Sequence, residues 1–166
     1  MNVDIVPAQT TSEAVYYTAS RHFLDVQFAT MDGLDNKAGQ YFSVGSTVLT
    51  VTFALLNLSQ RDVPTYALWA LGAALVSYVF LLVFSFFTSL IRGLEYRPDI
   101  ATLKQHSEEI GGDFLQQWVS NEHLASIEAN KPILIRKARW VGAAQNALHI
   151  EALLLAVAAI LTLTGT

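Results

Sequence analysis

The sequence contains no cysteine and few charged residues, and both shortages restrict what the protein can do. Without cysteine the chain forms no disulfide, no thiolate metal site and no cysteine nucleophile. Charged residues make up 14% of the chain, whereas soluble domains average about 25%. The formal net charge of −4 provides no basic surface for a nucleic acid polymer. We therefore expect neither a soluble globular core nor a nucleic acid partner.

Charges are missing altogether from two long stretches, residues 38–58 and 63–91. A helix of about 20 apolar residues crosses a hydrocarbon core of roughly 30 Å. The short segment 59–62 separates the two stretches and predicts an antiparallel helical hairpin. A third uncharged stretch, 152–166, has only 15 residues. A third span over 140–166 must therefore hold polar residues in or near the membrane.

The rest of the chain is predicted to be mostly helical. Residues 1–11 form an irregular lead, and an amphipathic helix over 12–37 begins at Thr11, Ser12 and Glu13, which suit a helix N-terminus. Breaks are expected in the insert 92–139 at three places: Tyr96–Asp99, Gly111–Gly112 and Lys131–Pro132. The stripe expected to make the first helix amphipathic consists of Val15, Ala19, His22, Val26, Ala29 and Gly33. The predicted fold is an all-α membrane protein with three transmembrane helices and long cytoplasmic helical extensions.

Basic residues near the spans predict the orientation. Nine of them flank the N-terminal side of the first span or lie between the second and third spans, and Arg61 alone lies in the hairpin turn. The nine are Arg21, Lys37, Arg92, Arg97, Lys104, Lys131, Arg136, Lys137 and Arg139. Because basic residues concentrate on the cytoplasmic side, we expect the N-terminus and residues 92–139 in the cytoplasm and the hairpin turn and C-terminus outside.

The candidate site residues are polar groups in the predicted spans and a charged collar beside the first span. Glu151 is the most informative, since a carboxyl group inside a span is costly. Either it lines a pore or a seam between subunits, or it turns toward Arg136 or Arg139 or accepts a hydrogen bond from the first span. The membrane candidates are Ser43, Ser46, Thr47, Thr50, Asn146, His149 and Glu151.

The collar consists of Asp32, Asp35 and Lys37, and it is either a gating or subunit-contact network or a solvated interface. No phosphate-binding loop, nucleophile elbow or paired-histidine zinc helix occurs in the sequence. We therefore expect no enzyme, no catalytic residue, no cofactor and no metal.

The order of these parts resembles a known family. The motif Leu34-Asp35-x-Lys37-Ala38, a tight hairpin, a polar helical insert with Asn130, Lys137-Ala138 and Glu151 together resemble the transmembrane domain of Pycsar-type effectors. The related SLATT two-transmembrane effectors of bacterial anti-phage systems are similar. This resemblance implies an oligomer in the inner membrane that impairs membrane integrity when a cyclic nucleotide or another infection signal arrives.

The chain departs from that pattern because its insert of 48 residues has helical periodicity and leaves no room for a cyclic-nucleotide-sensing module. A separate sensor protein, or the insert itself after assembly, would then receive the signal. The alternative from the residues alone is a non-conducting membrane anchor that recruits a soluble partner through its cytoplasmic helices. A small transporter ranks last, since the second span has few polar residues.

Overall fold

The computed structural model describes residues 11–58, 63–109 and 111–164, which form four helices and contain no strand. The helices are α1 (Ser12–Leu58), α2 (Thr65–Leu90), α3 (Ile100–Glu109) and α4 (Gly112–Thr164). α1, α2 and α4 are long and apolar enough to cross a membrane. The all-α fold with three candidate spans is therefore confirmed. The irregular lead up to residue 10 and the hairpin turn 59–62 lie outside the described residues.

Local side-chain chemistry explains two of the helix starts. The Thr11 hydroxyl accepts a hydrogen bond from the backbone N–H of Ala14 at 3.2 Å, which is the predicted cap of α1. Asp99 caps α3 by accepting hydrogen bonds from the backbone N–H and the hydroxyl of Thr102. These bonds hold the pKa of Asp99 below its ordinary value. Between α2 and α3, Gly93 adopts a φ of 89°, a conformation that favours glycine.

α4 is continuous through Pro132, so the predicted turn at Lys131–Pro132 is wrong. Proline removes one helical hydrogen bond and crowds the preceding turn, which is why its presence predicted a break. The exposed proline here is flanked by Asn130 and Lys137, which are fully buried on one face of the helix. Packing on both sides of Pro132 outweighs its local preference.

α1 is likewise one helix from Ser12 to Leu58. The predicted division into a cytoplasmic helix over 12–37 and a span over 38–58 therefore corresponds to no break in the backbone. Where the membrane boundary falls along α1 stays a prediction.

The chain divides into two compact units. The first unit holds the described residues of Met1–Thr30 and Gly93–Leu134, and the second holds those of Met31–Arg92 and Ile135–Thr166. In the first unit, the start of α1 packs on the first half of α4, and α3 also packs on α4. In the second unit, the remainders of α1 and α4 pack with α2 as three helices.

In the second unit, small side chains lie where the helices meet. One apolar cluster joins Leu71 and Ala74 of α2 to Leu155 and Ala158 of α4. Another joins Leu81 to Ala144 and Ala147. Close packing of small residues is typical of helices that associate in a bilayer.

The predicted stripe of the first helix is not its buried face. Val15 and Val26 are 56% and 45% exposed in the first unit, whereas Ser20 and Leu24 are buried. Ser20 bonds to His123, and Gln27 donates to the carbonyl of Ile127. Hydrophobicity alone selects the wrong face here because the buried face carries polar groups that have partners.

Candidate functional site

The buried Lys137 forms an ion pair with Asp35 in the second unit. The Lys137 side chain is 0% exposed, and its Nζ donates to Asp35 Oδ2 at 2.7 Å and to the carbonyl of Ile91 at 3.1 Å. The ion pair joins α1 to α4. The hydrogen bond from Lys137 to the Ile91 carbonyl also joins α4 to the residue that directly follows α2. Asp35, one of the three collar residues, therefore has its partner on another helix, although all three collar residues are exposed.

Glu151 lies inside the three-helix unit without a polar partner. It is 0% exposed, and neither carboxyl oxygen has a hydrogen-bond partner. A Cβ added at Gly45 of α1 would lie 3.0 Å from Glu151 Oε2, so the carboxyl group lies against the backbone of α1. Along α4, Glu151 is 14 residues beyond Lys137, a rise of about 21 Å. This depth places a carboxyl group well inside the predicted span.

The alternative in which Glu151 accepts a hydrogen bond from the first span is wrong. The hydroxyl groups of Ser46, Thr47 and Thr50 bond elsewhere. Ser46 donates to the carbonyl of Phe42 and also bonds to the Tyr78 hydroxyl at 2.8 Å. Thr47 and Thr50 donate to carbonyls one turn earlier in α1. This local bonding satisfies the threonine hydroxyls without help from another helix.

The structure does not bring Asn146 and His149 to Glu151. Both are exposed, and they lie on the opposite face of α4 from the buried Glu151. The three residues therefore do not form one polar seam within a single copy of the chain. Asn146 and His149 instead present an amide and an imidazole on a surface that, in a span, faces lipid or another protein.

The exposed face of α1 in the second unit carries a row of small and polar residues, which we call the outer stripe. Its members are all exposed and recur at alternating steps of four and three residues: Asn36, Gln40, Ser43, Thr47, Thr50, Ala54 and Asn57. Such spacing keeps side chains on one side of a helix. Three of the predicted site residues thus share a surface, and Ser46 lies beside it.

The exposed face of α2 differs from the outer stripe. Between residues 68 and 87, every exposed residue of α2 is apolar, glycine or alanine. Val79 is 55% exposed and directly follows Tyr78, the partner of Ser46 on α1. α2 therefore presents a lipid-compatible surface at the depth where α1 presents hydroxyl groups.

The first unit contains a buried polar cluster that the sequence analysis missed. His123 Nδ1 lies 3.1 Å from the Ser20 hydroxyl, and its ring packs near Tyr17 and Tyr96. Asn130 holds Glu95 of the loop by accepting from its backbone N–H and donating to its carbonyl. The cluster therefore attaches two segments to α4: the loop after α2 and the start of α1.

One signal in the sequence identifies these buried groups. The positions recur every seven residues along α4, and all are buried: His123, Asn130, Lys137, Ala144, Glu151 and Ala158. A strict seven-residue repeat predicts a helix face that packs against a neighbouring helix. The repeat is hidden from a hydrophobicity scan because four of its six members are polar.

The stability of the first unit is expected to fall as the pH drops below 6.5. Burial, assisted by the nearby guanidinium of Arg21, lowers the pKa of His123 from its ordinary 6.5, and the Asp25 carboxylate acts in the opposite direction. The unfolded chain then binds the proton more readily, so stability present above the unfolded pKa is lost as the pH falls through the folded pKa. Thermal unfolding followed between about pH 5 and pH 8 tests this expectation.

The His123→Asn variant should lose most of that pH dependence. The His22→Asn variant is the matched control, because His22 is an exposed histidine of the same unit. Equal pH dependence in the two variants would contradict the assignment.

Comparison with protein-family models, curated proteins and solved structures finds no match. The likeness to Pycsar-type and SLATT effectors stays a hypothesis that depends on the quoted motifs. In the described ranges 11–58, 63–109 and 111–164, no group of three or more His, Asp or Glu side chains could hold a metal ion. His106 instead stacks on Trp118, with ring centroids 4.2 Å apart.

Proposed function

We propose that the protein is an inner-membrane effector that assembles from several copies and makes the bilayer permeable when an infection signal arrives. The observation that carries the proposal is the outer stripe. In one copy surrounded by lipid, the stripe would place the amides of Asn36, Gln40 and Asn57 against hydrocarbon, whereas the hydroxyl groups of Thr47 and Thr50 already donate within α1. A ring of copies would place the same groups around a water-filled path.

Two further features support the assembly, and a third supports its orientation. The exposed face of α2 is apolar and suits the lipid side of such a ring. Asn146 and His149 on the exposed face of α4 gain hydrogen-bond partners when copies meet. The nine-to-one distribution of basic residues supports placing the first unit in the cytoplasm.

The setting comes from the family resemblance. Pycsar-type and SLATT effectors belong to bacterial anti-phage systems, so the proposed consequence of assembly is abortive infection, the death or arrest of the infected cell. The trigger is a cyclic nucleotide or a separate sensor protein. α1 and α4 each contribute to both units, so a ligand of the first unit acts on helices that continue into the second.

The proposal predicts which engineered cysteines meet water. The natural chain has no cysteine, so each variant carries a single thiol. In liposomes that release dye, the thiol of a Thr47→Cys variant should react with a charged, water-soluble reagent, and the reaction should stop most of the release. A Val79→Cys variant is the control, because Val79 lies at the same depth on the apolar face of α2 and should not react.

Dye and ion release should be measured with the purified protein alone and with a panel of cyclic nucleotides. If the thiol reagent reduces release no more in the Thr47→Cys variant than in the Val79→Cys variant, the water path does not follow the outer stripe. Absence of release under every condition, with a monomer or dimer in detergent, would overturn the effector function.

A non-conducting anchor is the second candidate, and exposed apolar side chains in the first unit favour it. Phe23 is 62% exposed on α1, and Phe114 is 71% exposed at the start of α4. A continuous apolar surface in water is typical of a site that binds a protein partner, and Val15, Ala19, Phe23 and Val26 are exposed at steps of four and three along α1. An anchor would recruit a soluble partner through these residues and would never release dye by itself.

A further inference from the structure

Two collar residues, Asp32 and Lys37, have no partner of opposite charge within the described residues. Both are exposed, and the ion pairs of the described chain are Lys137–Asp35 and Arg97–Glu95. The two side chains cannot pair with each other on α1. A helix turns by about 100° per residue, so residues five apart point in clearly different directions.

Asp32 and Lys37 instead border the outer stripe on opposite edges. One further step of three residues before Asn36 extends the spacing of the stripe to Gly33, and Asp32 directly precedes Gly33. Lys37 directly follows Asn36, the first member of the stripe. In the lettering of a helical repeat, the stripe occupies positions a and d, Asp32 is at g and Lys37 is at e.

In parallel helices, a residue at g faces the e residue roughly five positions further along the neighbouring helix. Asp32 and Lys37 have this separation and carry opposite charges. We infer that α1 helices of adjacent copies pack in parallel and in register, with Asp32 of one copy paired to Lys37 of the next. The inference rests on the proposed function, because it identifies the contact that assembles the ring.

Other features of the second unit fit this contact. The concentration of basic residues on the cytoplasmic side gives every copy the same orientation in the membrane, so the α1 helices of neighbouring copies are parallel. Gly39, at the next g position, has nothing within 4 Å of an added Cβ, so a neighbouring helix can approach closely there.

Cross-linking tests the contact directly. A carbodiimide joins a carboxylate to an amine only when the two touch. Protein labelled with ¹⁵N is mixed with unlabelled protein, assembled in liposomes, cross-linked and digested. The expected product joins Asp32 to Lys37 with one labelled and one unlabelled half. A product found only within single chains, or its absence from an assembled sample, would overturn the inference.

Charge exchange provides the second test. The Asp32→Lys and Lys37→Asp variants each place like charges together, and each should lower the oligomer-to-monomer ratio roughly tenfold. The double variant restores opposite charges and should recover most of the loss. An Asp25→Lys variant is the control, because the g residue Asp25 would face the uncharged Thr30. Equal loss in all three single variants, or no recovery in the double variant, would count against the pairing.

Dye release measured on the same samples distinguishes the proposed contact between α1 helices from the proposed effector function. Mixed cross-links and recovery in the double variant, without release, would support the contact and contradict the effector function. Release by a multimer that forms no mixed cross-link and ignores the charge exchanges would support the effector function and overturn the contact.

Discussion

The Asp35→Asn variant is expected to destabilise the second unit by about 3 kcal/mol, the lower end of the range for breaking a buried ion pair. The ammonium group of Lys137 is fully buried, and after the substitution its remaining acceptors would be uncharged: the carbonyl of Ile91 and the new side-chain amide oxygen. The lower end applies because the Asp35 side chain is 46% exposed, so water reaches one side of the pair. Unfolding in detergent, followed by circular dichroism, measures the change.

A double-mutant cycle isolates the pair from its surroundings. The Lys137→Met variant removes the buried charge and leaves a half-exposed aspartate that water can solvate, so it should cost about 1 kcal/mol. Adding Asp35→Asn to Lys137→Met should then cost little more. Arg139→Gln is the control, because Arg139 is an exposed charged residue of the same unit and has no ion pair in the described chain, and it should change stability by less than about 0.5 kcal/mol. A similar small effect for Asp35→Asn would show that the pair does not hold α1 to α4.

The long elements of the fold were predictable from the sequence because their signals are local. An uncharged run of about 20 residues suits only a span, and both such runs lie in helices in the structure. The cap at Thr11 and the break before Asp99 depend on residues within one turn. In contrast, Pro132 has an equally local signal, and its effect is outweighed by packing that involves residues far away in the chain.

The candidate site was only partly predictable because its contacts are not local. Asp35 and Lys137 are 102 positions apart, and nothing near either residue indicates that they pair. Asn146, His149 and Glu151 are close in sequence, which suggested a common role, yet their positions around α4 separate them. The seven-residue repeat through Glu151 identifies its face, but the absence of a donor beside it depends on which atoms α1 and α2 place there.

The second large effect is expected at Glu151. Two buried carboxyl oxygens without partners cost free energy in this arrangement of helices, and an arrangement in which they reach water or a donor would recover it. The Glu151→Met variant keeps most of the side-chain volume and removes both oxygens. We expect it to stabilise the second unit by about 1–3 kcal/mol and to reduce triggered dye release from liposomes. Thermal unfolding and release should be measured on the same preparations.

The Gly45→Ala variant should act in the opposite direction at the same contact. Its Cβ would lie 2.5 Å from Leu81 Cδ2 and 3.0 Å from Glu151 Oε2, so these buried side chains or α1 itself must shift, at a cost of about 1–3 kcal/mol. Gly39→Ala is the control, because an added Cβ at Gly39 meets nothing within 4 Å. If the arrangement of helices in this structure opposes release, stability and dye release must change in opposite directions. Gly45→Ala should be less stable and release more dye, and Glu151→Met should be more stable and release less. A Glu151→Met protein that is more stable but releases as much dye as the natural chain would show that Glu151 destabilises the fold and takes no part in opening the path through the membrane.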